Sequence, residues 1–136
     1  MQTPAQLIES FQNAWENHDA NALGALFVED AEFINVFGEH LHGRQQIITE
    51  HAMTFSNTLR QSRIEFRQVS SRPLSESMVL VHAEWTMHNQ LNPSGGVFPP
   101  RNGIMTIIAI HDQTDKSQII SLHNALQSNS AAFRAE

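Results

Sequence analysis

Apolar residues recur at three- and four-residue spacing in the first part of the chain and at two-residue spacing in the second. Leu7, Ile8, Phe11, Ala14 and Trp15 make one helical stripe. Thr3-Pro4 reads as an N-cap followed by proline at the first helical position, so a helix is predicted over residues 4–17. Asp19 caps a second predicted helix, over residues 19–28, carrying Ala22, Leu23, Leu26 and Phe27. The pattern then breaks at Glu29-Asp30 and changes period. Over residues 31–37, Ala31, Phe33, Asn35 and Phe37 fall on one face of a strand, and Glu32, Ile34 and Val36 on the other. Gly38 and Gly43 bracket a turn, and Ile47, Ile48, His51, Ala52 and Phe55 then give a third helix, over residues 43–57, its buried face.

From there the pattern is that of strands, expected over residues 62–71, 77–89, 102–112 and 117–127. In the first of these Ile64, Phe66 and Gln68 alternate with Arg63, Glu65 and Arg67. The stretch NQLNPSGGVFPPRNG is a loop by composition, Gln113-Thr114-Asp115 reads as a turn, and the tail SNSAAFRAE is expected to be loose. Strands grouped after helices indicate an α+β fold rather than alternating parallel-sheet architecture. No repeat or linker interrupts the chain, so residues 1–136 are expected to form one domain. The last two strands are apolar on both faces (Ile104, Ile107, Ile108, Ile110; Ile119, Ile120, Leu122, Leu126). A second copy of the chain is the simplest cover for the outer face, so a homodimer through the sheet is expected.

Composition narrows the function classes. The formal charge of −6, with Lys116 the single lysine, argues against a nucleic-acid surface. Without cysteine there are neither disulfides nor thiolate chemistry. No apolar run approaches the roughly 20 residues that span a bilayer, and the N-terminus does not read as a signal peptide. A cytoplasmic domain is therefore expected. GxSxG, Walker and GxGxxG patterns are absent, so neither nucleotide binding nor a dinucleotide cofactor is expected.

Trp15 with Asn17-His18-Asp19, Leu26-Phe27-x-x-Asp30-Ala31-x-Phe33-x-Asn35, and Gly38 to Gly43 are joined later by other matching pieces. These are His51 and Phe55, Leu80-Val81-His82-x-x-Trp85, Arg101-x-Gly103 and His123-Asn124. Over nearly its whole length the chain resembles the cone-shaped, cystatin-like family named after nuclear transport factor two. Within it, the chain is most similar to the SnoaL-like branch and the small bacterial SgcJ/EcaC-type proteins. The resemblance implies three helices packed on a strongly curved, mostly antiparallel sheet around an apolar pocket, with dimers through the sheet. The scaffold hosts isomerases, cyclases, dehydratases, epoxide hydrolases and plain binding domains, so it does not name a reaction. Ketosteroid isomerases place an aspartate base at the position of Asn35, an oxyanion tyrosine at Phe11 and a protonated aspartate near Ile107. An amide and a phenyl ring cannot do that chemistry. SnoaL-type cyclases use a pocket acid, for which Glu84 is the nearest candidate.

Two readings follow. In one, the pocket binds or transforms a small apolar or aromatic cyclic ligand by isomerase-, cyclase- or hydrolyase-like proton chemistry. In the other, the chain is a non-catalytic ligand-binding or association domain. For the first, His82 and His51 are the candidate proton carriers, since imidazole is the group that titrates near neutral pH. Asn35 is either the polar floor of the pocket or a satisfied core amide. Trp15, Phe33, Phe55 and Trp85 are candidate walls. Arg101 is a candidate gate or anion binder, or else a surface salt-bridge former, and Asn124 is placed inward with His123 outward by alternation. His40-x-His42 puts two imidazoles on one strand face, but Gly43 and a helix follow at once, so no ligand set is defined and no metal is expected.

Overall fold

The computed structural model describes residues 2–112, 114 and 116–127; the predicted tail and the flanks of the Thr114 turn lie outside them. Helix α1 (Pro4–Glu16) begins with a capping box: Thr3 Oγ1 accepts from the Gln6 N–H at 3.1 Å, and Gln6 Oε1 accepts from the Thr3 N–H at 2.9 Å. Its stripe of Leu7, Ile8, Phe11, Ala14 and Trp15 is buried, as the spacing requires. Helix α2 is only Ala20–Gly24, capped by Asp19.

The predicted extension of α2 to residue 28 is corrected. Leu26 and Phe27 fit a helical stripe, but their backbone is captured by a strand: the Ile119 N–H donates to the Leu26 carbonyl at 2.8 Å. The Arg44 guanidinium donates to the Phe27 carbonyl at 2.7 and 3.0 Å. Strand β1 therefore runs Phe27–Ile34, not 31–37, with a bulge that restores the Phe33-inward register. Asn35 ends it, and the chain returns as a short strand β2 (His40–His42), within the stretch read as a turn between Gly38 and Gly43. Gly43, at φ +85°, turns the chain into α3 (Arg44–Phe55). In α3, Ile47, His51 and Phe55 are buried, whereas Ala52 is exposed.

Strands β3 (Arg63–Pro73), β4 (Met78–His88), β5 (Arg101–His111) and β6 (Ser117–Gln127) complete one sheet of order β2-β1-β6-β5-β4-β3. All pairings are antiparallel except β1 with β6. A bulge in β3 between Phe66 and Gln68 sends Gln68 outward and Val69 toward the core, correcting the simple alternation. The sheet curls around α1 and α3 in an α+β cone. Its inner face carries Val81, Ala83, Trp85, Met105, Ile107 and Leu122, and its outer face carries His82, Glu84, Thr106 and His123.

Gly103 on β5 is opposite Trp85 on β4, and the indole occupies the space a Cβ would need at that glycine. Gly103→Ala should therefore displace the ring and cost about 1–3 kcal/mol, read as a lower urea midpoint at unchanged m-value. An unchanged midpoint would mean that the indole slides aside without penalty.

Candidate functional site

A cavity of about 140 Å³ lies between α3, the β1–β2 turn and the inner faces of β4, β5 and β6. Trp15, Phe33, Leu41, Leu59, Trp85 and Met87 line its depth; Phe37, Glu39, Arg101 and Leu126 lie at its rim. Phe37, 70% exposed, leaves an aromatic ring in solvent beside the opening.

His51 is one of two buried polar residues in the lining. It is 7% exposed and stands edge-on to Phe33 (centroids 4.9 Å apart) and to Trp15 (6.1 Å). Its Nδ1 lies 2.7 Å from the Ile47 carbonyl, one helical turn back. A carbonyl only accepts, so Nδ1 carries the hydrogen and the neutral ring presents a lone pair at Nε2. No described group pairs with Nε2, and no buried side-chain nitrogen or oxygen among the described residues lacks a partner, so Nε2 is open to the cavity. Burial holds the imidazole pKa below its ordinary value, and the bond to the Ile47 carbonyl offsets part of that.

Asn124, inward as alternation required, is also 7% exposed. Its Oδ1 accepts from the Trp85 indole N–H at 2.7 Å. Because an indole only donates, the amide orientation is decided and Nδ2 remains as a hydrogen-bond donor. Between its aromatic walls the cavity thus offers a buried acceptor at His51 and a buried donor at Asn124.

Several sequence-derived candidates fall elsewhere. His82 is exposed on the outer face, beside Gln68, Ser70, Glu84 and Ile104. Alternation on β4 turns Val81, Ala83 and Trp85 inward and so excludes His82 from the cavity. Glu84 also faces outward and accepts from Gln127 Nε2 at 2.9 Å. Phe55 does not line the cavity; it backs the wall, edge-on to Trp15 at 5.2 Å. Asn35 does line it, but its amide is committed: Oδ1 accepts from the N–H groups of Phe37 and Glu39 at 3.0 Å each, and Nδ2 donates to Glu39 Oε1 at 3.1 Å. It is a turn-former at the rim rather than the polar floor. Arg101 reaches the rim with its guanidinium 3.8 Å over the Phe98 ring. Two carboxylates escaped the sequence reading, Glu39 and Glu50. The signal for Glu50 is its place on α3 four residues before Thr54 and beside His51, a polar edge to the buried stripe.

The folded protein resists a proton at His51 that the unfolded chain accepts. Stability linked to this group is therefore fully present above about pH 6.5 and is lost as the pH falls toward the folded-state value. The His51 Cε1–H resonance should titrate with a midpoint below about 6.5. A midpoint at or above that value would mean a solvated ring.

Similar proteins share this architecture. An uncharacterized protein with a cystatin-like fold from Caulobacter vibrioides superposes with a TM-score of 0.86 at 22% identity, over 96% of this chain and 91% of that one. A ketosteroid isomerase-like protein from Erwinia carotovora atroseptica gives 0.74 at 15% identity, over 91% and 93%. A putative calcium/calmodulin dependent protein kinase II association domain from Xanthomonas campestris gives 0.75 at 17% identity, over 92% and 86%. No curated relative matches the sequence. Among the described residues no helix is long and apolar enough to cross a membrane. Residues 8–113 match the SnoaL-like domain model, and the chain belongs to that family.

Proposed function

We propose that the chain is a small-molecule pocket protein that takes a compact cyclic ligand bearing an oxygen substituent, with His51 as proton acceptor and Asn124 as hydrogen-bond donor. The observation that carries this reading is the tautomer of His51: a neutral imidazole whose free nitrogen opens into an aromatic cavity that the fixed Asn124 amide also lines. Such a pair suits removal of a proton from carbon or oxygen while the amide holds the developing oxyanion. A free volume of about 140 Å³ is close to that of an apolar cavity that holds benzene (about 150 Å³), so a single ring fits inside and further substituents lie at the rim. The similarity to the ketosteroid isomerase-like protein supports proton chemistry of this class, carried out with different residues.

A second feature supports self-association. On the outer face Leu80 pairs with Ile108, and Ile104 and Ile110 continue an apolar belt along β5. The similarity to an association domain fits a second copy of the chain packed there. The pocket and the interface lie on opposite faces of the sheet, so one does not preclude the other.

Monocyclic phenols and enones are the probes for the pocket. A ligand at about 100 times its dissociation constant adds about 2.7 kcal/mol and raises the melting temperature by several degrees. His51→Leu should abolish the shift or lower turnover by about two to four orders of magnitude. An identical response in His51→Leu and wild type would remove His51 from the site. Sedimentation should give about twice the 15.3 kDa chain mass, falling to a monomer in Ile108→Lys. A monomeric wild type would refute the interface.

A further inference from the structure

The β1–β2 hairpin brings together three metal-ligating side chains on the outer face of the sheet, away from the pocket. His40 and His42 alternate along β2, with Leu41 between them turned inward, so both imidazoles face outward. Pairing in the hairpin sets Glu32 directly opposite His42 and Ile34 opposite His40. Glu32 Oε1 lies 3.4 Å from His40 Nε2 and 3.9 Å from His42 Nδ1, and the imidazole centroids are 3.9 Å apart. One ligand atom from each residue falls within 4.8 Å of the others.

We propose that Glu32, His40 and His42 form a binding site for a divalent first-row transition metal ion, with zinc the fitting probe. Tetrahedral zinc with ligands at about 2.0–2.1 Å sets neighbouring ligand atoms about 3.3 Å apart. The Glu32–His40 pair already meets that spacing, and small side-chain rotations bring in the rest. All three side chains are substantially exposed, between 41% and 66%, which leaves them room to rotate. Two imidazole nitrogens with one carboxylate oxygen select zinc, nickel, cobalt or copper over calcium and magnesium, which take all-oxygen shells. Three protein ligands leave the remaining position to water.

The backbone that presents the ligands is already held. The Asn35 N–H donates to the Glu39 carbonyl at 3.0 Å, closing the hairpin, and the Gly43 N–H donates to the Ala31 carbonyl at 2.7 Å just past His42. The buried pair Phe33–Leu41 anchors the opposite face. The ligands are thus presented by ordered strand backbone, which lowers the conformational cost of closing a site. The site does not depend on what the cavity binds.

Titration calorimetry with zinc, and the visible absorption of bound cobalt, test the proposal on the full chain. Wild type should bind one ion per chain. Changes in residues that only contact metal ligands cost about 10–100-fold in affinity, so loss of a ligand should cost at least that. The double variant His40→Ala/His42→Ala should lose the site, and Glu32→Gln should weaken it by about tenfold or more. His82→Ala and His123→Ala, outer-face histidines outside the cluster, should bind as wild type does. Urea midpoints measured in chelator should be equal across the set, separating ligand loss from unfolding. No binding by wild type at millimolar zinc would overturn the site. Retention of binding in the double variant, or its loss in His82→Ala or His123→Ala, would do the same.

Discussion

Trp85 ties three strands to one another and to the cavity. Its ring lies where a side chain at Gly103 would stand, and its indole N–H donates to Asn124. The contact joins β4 to β5 across a glycine and β4 to β6 through a hydrogen bond that skips the strand between them. A buried indole N–H without a partner would cost about 1–3 kcal/mol, and so would a buried amide oxygen. Each group answers the other, and the exchange leaves Asn124 with its N–H edge free. The interaction that closes the inner face of the sheet also gives the cavity a fixed donor.

The opposite wall follows the same logic. A histidine in the middle of an apolar helical stripe would be costly if charged, and α3 removes the problem by giving Nδ1 the Ile47 carbonyl and surrounding the ring with Trp15, Phe33 and Phe55. Burial disfavours the charged ring, its tautomer is set, and the remaining nitrogen opens into the cavity. Structural satisfaction and chemical potential coincide because each side chain spends one polar atom on the fold and keeps one for the pocket.

The β1–β2 hairpin has two working faces. Inward, Phe33 and Leu41 close the cavity; outward, Glu32, His40 and His42 gather over the same strands. Asn35 is the hinge between these roles. Its carboxamide oxygen and one amide hydrogen are taken up by the turn, which determines how β2 returns beside β1.

Local pattern alone determined a good deal of this protein. The capped stripe of α1, the long alternating strands β4 to β6, the inward Asn124 and the burial of His51 each follow from periods of 3.6 or 2 and from capping chemistry, which act over a few residues. The resemblance carried by Trp15, Phe33, Trp85 and Gly103 reached the cone as a whole. Tertiary structure decided the rest wherever a distant partner competed with local preference. The β6 backbone drew Leu26 and Phe27 out of a helix, bulges in β1 and β3 reset which side chains point inward, and β4 turned His82 to the outer face. The third ligand beside His40 and His42 lies eight residues before His40 on another strand, brought there by pairing across the hairpin. Alternation states which residues share a face, but only the partner strand determines which face meets the core and what stands opposite it.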